Sequence, residues 1–245
     1  MIHNQPFEDA FGQALLDELD TGDVFEITER DDGYISARPI HRYFAQYPDW
    51  SDLESSAINQ CRGRVLDLGA GAGRAAIELQ RRGLPVLAVD PSPGAVQVCH
   101  RRGVHNIVAG TIDQLAPTAN PFDSVVMLGG NLGLLANPTR AVEFLNDLAR
   151  VTAPDAQVFG IGTDPYPTHD RDHLAYYQRN RTLGRLGGQL RLRVRHHAMS
   201  TPWFELWMAS EEELKSVLTQ TVWELTDIRS DGAVYLATLT KRHSN

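Results

Sequence analysis

Three glycines at alternate positions, Gly69, Gly71 and Gly73, make up the part of the sequence best suited to hold a ligand. They follow residues 64–68, an apolar run that predicts a buried strand, and a helical pattern begins at Ala75. Glycine adopts positive φ at little cost and lets a ligand approach the backbone closely. The helix that follows begins with unpaired N–H groups and a partial positive charge. The pattern therefore predicts a ligand-binding turn between a strand and a helix.

An acid ends the next predicted strand. Residues 85–90 are apolar up to Asp90, and in open parallel sheets ligands bind at this carboxyl end of the strands. A carboxylate there can accept hydrogen bonds from both hydroxyls of a ribose, while a side chain at a strand end is expected to contribute little to folding. The dinucleotide fingerprint of nicotinamide enzymes requires a small residue three positions after Gly71, where this chain has Arg74. The spacing thus favours a nucleoside-containing ligand other than NAD.

These residues resemble the class I S-adenosylmethionine-dependent methyltransferases. Asp67-x-Gly69-x-Gly71-x-Gly73 matches the first motif of that family, and Asp90 matches its ribose-binding acid. The resemblance covers about residues 60–162 and 210–245, and it implies S-adenosylmethionine as the cofactor. The residues that it implies for cofactor binding are Asp67, Gly69, Ala70, Gly71, Gly73, Asp90, Ile112, Asp113 and Leu128.

The segment from Gly110 to Asp113 departs from the family pattern. Many members carry Gly-Asp at this place, beside the adenine, but Thr111 replaces that acid here. The resemblance then implies that the carboxylate of Asp113 or the backbone N–H of Ile112 contacts the adenine edge.

The acceptor side of the site has no diagnostic motif. Methyl transfer from a sulfonium is an in-line displacement, so the protein mainly positions two reactants and excludes water. A base is needed only if the acceptor must lose a proton. The catalytic candidates, His173 and Tyr177, lie four residues apart and so are expected to share one helical face. The candidates for substrate binding are Asn131, Tyr166 and Tyr176.

Predicted strands and helices alternate along most of the chain. The strands are expected at 64–68, 85–90, 105–109, 122–128, 157–162, 223–229 and 233–240, and the helices at 73–82, 93–102, 138–151 and 211–219. Such alternation predicts an α/β fold with helices on both faces of a mostly parallel sheet. The resemblance implies a Rossmann-like sheet of seven strands that ends in a C-terminal antiparallel hairpin.

Three parts of the chain are expected. Residues 1–59 form an N-terminal helical cap segment with an amphipathic helix over 7–19, and residues 60–163 and 208–245 form the core. In the family, segments ahead of the first motif often close over the cofactor, a role open here to Tyr43 or Phe44. Residues 164–207 are expected to be a small β-containing insertion that recognises the substrate or acts as a lid.

The insertion is rich in arginine. Residues 189–196 alternate apolar side chains with arginines, which predicts a strand with one basic face, and residues 201–207 are expected to pair with it. Residues 179–197 contain six arginines and no acid. Three explanations remain open: pairing with acids of the core or of a second subunit in a homodimer, binding of an acidic small-molecule acceptor, or binding of nucleic acid.

Composition excludes several classes of protein. The 245 residues are 42% hydrophobic and carry a net charge of −8, which suits a small-molecule acceptor better than nucleic acid. No apolar run has the length of a membrane span, and no secretory signal is expected. Cys61 and Cys99 are too few for a disulfide framework, so a cytoplasmic protein is predicted. Residues 129–133, where catechol-type methyltransferases hold a metal, contain no acid, so no metal is predicted.

Three functions are compatible with these patterns. The first is an S-adenosylmethionine-dependent methyltransferase acting on a small-molecule acceptor, with an acidic compound as one candidate. The second is a nicotinamide-dependent oxidoreductase, which the glycine spacing and the terminal hairpin disfavour. The third is a non-catalytic S-adenosylmethionine-binding protein, which the size of the insertion disfavours.

Overall fold

The computed structural model of this protein describes residues 9–117 and 119–242. Its helices and strands follow the chain in this order: α1 (Ala10–Thr21), β1 (Phe25–Arg30), β2 (Ile35–Pro39), α2 (Asp52–Gln60), β3 (Val65–Leu68), α3 (Arg74–Arg81), β4 (Val86–Asp90), α4 (Pro93–Arg101), β5 (Ile107–Ala109), β6 (Phe122–Met127), α5 (Pro138–Val151), β7 (Thr152–Thr163), α6 (Arg171–Thr182), β8 (Gln189–His196), β9 (Met199–Ser200), β10 (Phe204–Trp207), α7 (Glu211–Leu218), β11 (Trp223–Asp231) and β12 (Val234–Lys241). The helix predicted over 7–19 corresponds to α1, and its first predicted residues, 7 and 8, lie outside the described residues.

The larger of two sheets has seven strands in the order β11-β12-β7-β6-β3-β4-β5. The five strands β7, β6, β3, β4 and β5 are parallel to one another, whereas β12 is antiparallel to both β7 and β11. The predicted Rossmann-like sheet with a C-terminal antiparallel hairpin is thereby confirmed. The parallel order brings the carboxyl ends of β3, β4 and β6 to the same edge of the sheet.

Helices cover both faces of this sheet because successive strand residues point in opposite directions. Leu66 of β3 belongs to a buried cluster that includes Leu145 of α5. Its neighbour Val65 belongs to a second cluster, on the other face, that includes Leu79 of α3. Both clusters continue across the central strands, so β3 is buried over its whole length.

The smaller sheet joins the N-terminal segment to the insertion. Its main order is β10-β8-β1-β2, with β9 paired to β8. Strand β8 spans residues 189–196 as predicted, and residues 204–207 of the predicted partner segment pair with it. On its other side β8 pairs with β1, where Thr28 faces Val194.

The N-terminal segment was predicted to be a helical cap, but it contains strands as well as helices. It supplies the hairpin of β1 and β2 to the same sheet as the insertion, and it contributes α2 to the core. Pairing between β1 and β8 joins residues far apart in sequence, which local patterns do not reveal. Within the described ranges, none of the helices has both the length and the apolar composition of a membrane span.

Candidate functional site

The glycine turn after β3 uses backbone conformations that favour glycine. Gly69, Gly71 and Gly73 all have positive φ, at 75°, 56° and 78°. A Cβ on Gly73 would lie 2.7 Å from Val104, too close for any real contact. Gly73 thus permits the tight approach of α3 to its neighbours, while Gly69 and Gly71 shape the turn itself.

Asp90 connects this turn to the next one. One carboxylate oxygen accepts from the N–H of Gly71 at 2.8 Å, and the other accepts from the N–H of Ser92 at 2.9 Å. The side chain is buried, with the residue 4% exposed, and burial raises its pKa to about 6, against the lowering effect of the two N–H donors. Because burial disfavours the charged carboxylate, a ligand hydroxyl that donates a hydrogen bond to it would stabilise that charge.

Asp67, the acid of the first motif, is buried behind the turn. Its carboxylate accepts from the N–H of Ala76 in the first turn of α3, at 3.1 Å. Burial raises its pKa to about 7. Asp67 therefore anchors the start of α3. It influences the glycine turn through that helix.

Asn131 holds the glycine turn from the opposite side. Its side-chain amide donates to the carbonyls of Leu68 and Gly69, at 3.0 and 2.8 Å. A Cβ on Gly69 would lie 2.4 Å from the same amide nitrogen. The residue predicted to bind substrate thus also fixes the turn that leads into α3, and the buried Leu128 lies three residues before it.

The turn after β5 contains the residues predicted at the adenine end. Ile112 buries its side chain in the core, so only its backbone is available to a ligand. Among the described residues, none accepts from the Ile112 N–H. Asp113 is exposed and bonded to the Thr111 hydroxyl, and Gln114 accepts from the Thr111 N–H at 3.0 Å. The turn therefore presents one backbone donor and one carboxylate.

Tyr43 lies directly over the glycine turn. Its ring is 3.4 Å from the position that a Cβ on Gly71 would take, and it packs edge-on against Phe11 of α1, with ring centroids 5.4 Å apart. The hydroxyl donates to the carboxylate of Glu26 in β1 at 3.2 Å and accepts from Arg42 at 3.1 Å. Burial raises the pKa of Tyr43. Tyr43, one of the two aromatic side chains predicted for this role, therefore packs on the turn.

Asp9 fastens α1 over the same edge of the sheet, and sequence reasoning missed it. One oxygen accepts from the N–H of Gly12 and so caps α1, at 2.9 Å. The other accepts from the Ser92 hydroxyl and the N–H of Gly94, both at 2.8 Å, at the start of α4. The cap on its own helix is a local pattern that the sequence contains. The contact with α4 joins distant residues and cannot be seen in the sequence.

The predicted catalytic pair lies together in the insertion. His173 and Tyr177 are on one face of α6, with ring centroids 6.4 Å apart, as predicted. His173 Nδ1 lies 3.1 Å from a guanidinium nitrogen of the buried Arg30. Because arginine only donates, Nδ1 must accept, and the proton of the neutral ring is on Nε2. In this arrangement His173 offers a donor rather than a base.

Tyr166, one of the tyrosines predicted to bind substrate, packs against this pair. Tyr166 and Tyr177 pack edge-on at 6.4 Å, and burial raises the pKa of Tyr177 above its ordinary value. Tyr176 points elsewhere: its hydroxyl donates to Asp31 at 2.8 Å, in the turn between β1 and β2. No described contact joins any of these three to the glycine turn, so the structure groups the insertion residues without bringing them to Asp90.

The arginines of β8 are largely paired within the chain. Arg193 and Arg195 both bind the carboxylate of Glu29 in β1, the first through two hydrogen bonds of 3.0 Å and the second at 2.7 Å. Arg191 lies over the ring of Trp203, 5.7 Å from its centroid. Of the three explanations for this basic stretch, pairing with acids is the one that these contacts support, and the acids come from the N-terminal segment.

The two cysteines are packed as small apolar side chains. Cys99 is buried against the turn, with its sulfur 3.4 Å from the carbonyl of Gly71. Burial raises the pKa of both Cys61 and Cys99 to about 12. Neither is therefore available as a thiolate at neutral pH.

Comparison with known sequences identifies part of the chain. Residues 65–155 match the family described as "Methyltransferase domain". An uncharacterised methyltransferase of Mycobacterium tuberculosis is 36% identical over 97 residues, which are 39% of this chain and 37% of that protein. A demethylmenaquinone methyltransferase of Beutenbergia cavernae is 35% identical over 118 residues, or 47% of this chain and 48% of that protein. The matches span less than half the length of these curated relatives.

Comparison with solved structures extends to nearly the whole chain. A methyltransferase from Bacteroides fragilis, solved with S-adenosyl-L-homocysteine, has 23% identity, covers 96% of both chains and has a TM-score of 0.82. The CcbJ methyltransferase from Streptomyces caelestis has 15% identity, covers 82% of this chain and 98% of that one, and has a TM-score of 0.60. At these identities the likeness concerns the fold. Residues 65–155 therefore match a methyltransferase domain, within a chain that has the fold of solved S-adenosylmethionine-dependent methyltransferases.

Proposed function

We propose that this protein is an S-adenosylmethionine-dependent methyltransferase that acts on a small-molecule acceptor. The observation that carries the proposal is the buried carboxylate of Asp90, which joins the glycine turn to the start of α4. Each of its oxygens uses one lone pair on a backbone N–H and keeps another for a ligand hydroxyl. A ribose with two adjacent hydroxyls matches that pair of acceptors.

The surroundings of Asp90 fit the rest of the cofactor. Gly71 brings its backbone next to this carboxylate, beneath the ring of Tyr43. The N–H of Ile112, for which no described residue is an acceptor, and the carboxylate of Asp113 are suited to an adenine edge, in the turn after β5. When bound, S-adenosylmethionine supplies a methyl group already activated on a sulfonium. Asp67 supports this site by anchoring α3 rather than by contact with the cofactor.

The chain's own residues then have to orient the acceptor and exclude water. Asn131 keeps the glycine turn in place, and Tyr43 with α1 covers it. We assign His173 and Tyr177 to orientation of the acceptor, because the Arg30 contact leaves His173 a donor and the raised pKa of Tyr177 keeps its hydroxyl protonated. Methyl transfer to an acceptor that is already nucleophilic needs no more than this positioning.

The smaller sheet supports a small-molecule acceptor. Its strand β10 packs against residues 131–135, directly after the carboxyl end of β6, and Asn137 bonds to Glu205 at 2.9 Å. Because Arg193 and Arg195 share the carboxylate of Glu29, their contacts support a structural role and give no specific support to nucleic acid or to an acidic acceptor. Demethylmenaquinone, the acceptor named for the Beutenbergia relative, is one candidate to assay. That match covers under half of either chain, so it does not assign the acceptor.

Calorimetric titration with S-adenosylmethionine and with NAD tests the cofactor. We expect saturable binding of the first alone, and binding of NAD alone would establish an oxidoreductase instead. Transfer of labelled methyl groups from S-adenosylmethionine to a library of small molecules then tests the reaction. Binding without transfer to any compound in the library or in cell extract would favour the non-catalytic alternative.

A further inference from the structure

A cluster of two histidines and one aspartate lies away from the glycine turn. His196 ends β8, His197 follows it, and Asp17 is on the face of α1 that packs against β8. The Nε2 atoms of His196 and His197 lie 2.7 and 3.1 Å from the same oxygen of Asp17. All three ligand atoms lie within 4.8 Å of one another.

The backbone is bent in a way that brings the two imidazoles together. Neighbouring residues of an extended strand point to opposite faces, which would separate His196 from His197. His197 instead has a φ of +50°, which is uncommon for a residue with a side chain. As a result the two ring centroids are only 4.1 Å apart, and both rings face Asp17. The other oxygen of Asp17 is held by Gln13 Nε2 at 2.7 Å.

This donor set has the chemistry of a transition-metal site. Two neutral imidazole nitrogens and one carboxylate oxygen suit Zn²⁺ and its neighbours Co²⁺ and Ni²⁺, whereas Mg²⁺ and Ca²⁺ prefer oxygen ligands throughout. Ligand bonds of about 2.0–2.2 Å around a tetrahedral ion separate the ligand atoms by roughly 3.3 Å. The present N···O distances of 2.7 and 3.1 Å would therefore have to widen by roughly 0.6 and 0.2 Å. His197 is 71% exposed at its side chain, which gives an ion access.

We propose that Asp17, His196 and His197 bind one divalent transition-metal ion of the Zn²⁺ type, with water as the remaining ligand. Such a site differs from the metal considered in the sequence analysis, which concerned acids after β6. The ion would fasten α1 to the smaller sheet. Asp9 caps α1 and bonds to the start of α4, and Phe11 of α1 packs against Tyr43 over the glycine turn, so metal binding would stabilise the arrangement that covers this turn.

Metal titration of the untagged, chelator-treated protein tests the proposal. We expect Co²⁺ to give the visible absorption of a four-coordinate nitrogen and oxygen site, and Zn²⁺ to displace it at one equivalent. Zn²⁺ should also raise the melting temperature, because it binds the folded chain only. His197→Ala should weaken Zn²⁺ binding by at least about 100-fold, since loss of even an outer-shell partner costs about 10- to 100-fold.

Two further variants make the test specific. Asp17→Asn keeps the size of the side chain and removes its charge, and it should also abolish the Co²⁺ spectrum. His105→Ala removes an exposed histidine outside this cluster and should leave binding unchanged. Equal Zn²⁺ affinity in the wild type and His197→Ala, or no Co²⁺ spectrum and no thermal shift in the wild type, would reduce the cluster to a hydrogen-bonded group and overturn the proposal.

Discussion

Asp90 accepts a hydrogen bond from the backbone N–H of Gly71 at 2.8 Å, so the acid that ends β4 also fixes the turn after β3. The sequence predicts Asp90 as a ligand-binding side chain at a strand end, with little influence on folding. Its burial and its second bond, to the N–H of Ser92, give it a structural role beside the ligand-binding role that we propose. Loss of this side chain would leave two buried backbone donors without an acceptor.

We expect Asp90→Ala to lower both the melting temperature and the affinity for S-adenosylmethionine. Affinity should fall at least about tenfold, since a hydrogen bond to a charged group contributes about 1.5–3 kcal/mol. Ser92→Ala is the matched control, because it removes the cap of α4, worth about 1 kcal/mol, and keeps the carboxylate. Calorimetry and thermal unfolding of both variants check this. Equal affinity losses in the two would mean that Asp90 acts only through the fold.

Gly71→Ala separates backbone strain from loss of ligand approach. Gly71 and Gly83 both have positive φ, so alanine at either should cost about 1–2 kcal/mol of stability. A Cβ at Gly83 meets no atom within 4 Å, whereas one at Gly71 enters the space beneath Tyr43. We therefore expect similar losses of stability in denaturant unfolding, with weakened S-adenosylmethionine binding in Gly71→Ala alone. Unchanged affinity in Gly71→Ala would place the cofactor elsewhere.

The core was predictable because its signals are local. Apolar runs and glycine turns define β3, β4 and β6, and their predicted bounds differ from the observed ones by one residue at most. The capping box of Ser210 and Glu213 likewise marks the start of α7. These patterns depend on neighbours a few residues away, so the sequence contains them in full.

The cover of the site was not predictable in the same way. The hairpin of β1 and β2 has a turn that the sequence shows, at Asp31-Asp32-Gly33, but its pairing with β8 depends on residues far along the chain. Asp9 has its second set of partners 83 to 85 residues away. Glu26 meets Tyr43 only because β1 and the segment after β2 pack together. Such contacts follow from tertiary structure, and the sequence pattern contains no trace of them.

Asp67→Asn should change how stability depends on pH. Burial raises the pKa of Asp67 from 3.8 to about 7, so the folded chain keeps a proton that the unfolded chain releases. Wild-type stability therefore falls, on account of this group, as the pH rises from about 4 to about 7. Asparagine still accepts from the Ala76 N–H and does not titrate. Relative to the wild type, we expect the free energy of unfolding of the variant to increase from about pH 4 to about pH 7 and to stay constant above about pH 7. Denaturant titrations at several pH values check this.

The contributions of other carboxylates cancel in that comparison because both proteins contain them. A difference that stays constant from pH 4 to 8 would show that Asp67 has an ordinary pKa. If the wild type instead gained stability relative to the variant as the pH rises, the charged form of Asp67 would be the one that the fold stabilises.

Glu29→Gln tests the structural explanation for the arginine-rich strand. It removes the shared partner of Arg193 and Arg195 and should lower the melting temperature, most clearly at low salt. Arg193→Gln should lower it too, and the two changes together should cost less than their sum. Arg191→Gln is the control, since no carboxylate among the described residues pairs with Arg191. Full additivity of the two changes would show that the ion pairs do not stabilise the fold. Loss of methyl transfer with an unchanged melting temperature would favour binding of an acidic acceptor instead.

His173→Gln distinguishes a donor from a base at the acceptor site. Because Arg30 donates to Nδ1, we expect His173 to orient the acceptor through Nε2–H, so the variant should raise KM for the acceptor and leave KM for S-adenosylmethionine unchanged. The pH profile of kcat should keep its shape. His169→Gln, an exposed histidine on the preceding loop, should behave as the wild type does. If His173→Gln instead lowers kcat and removes the acidic limb of the profile, His173 takes a proton in the reaction and its contact with Arg30 must break when the acceptor binds.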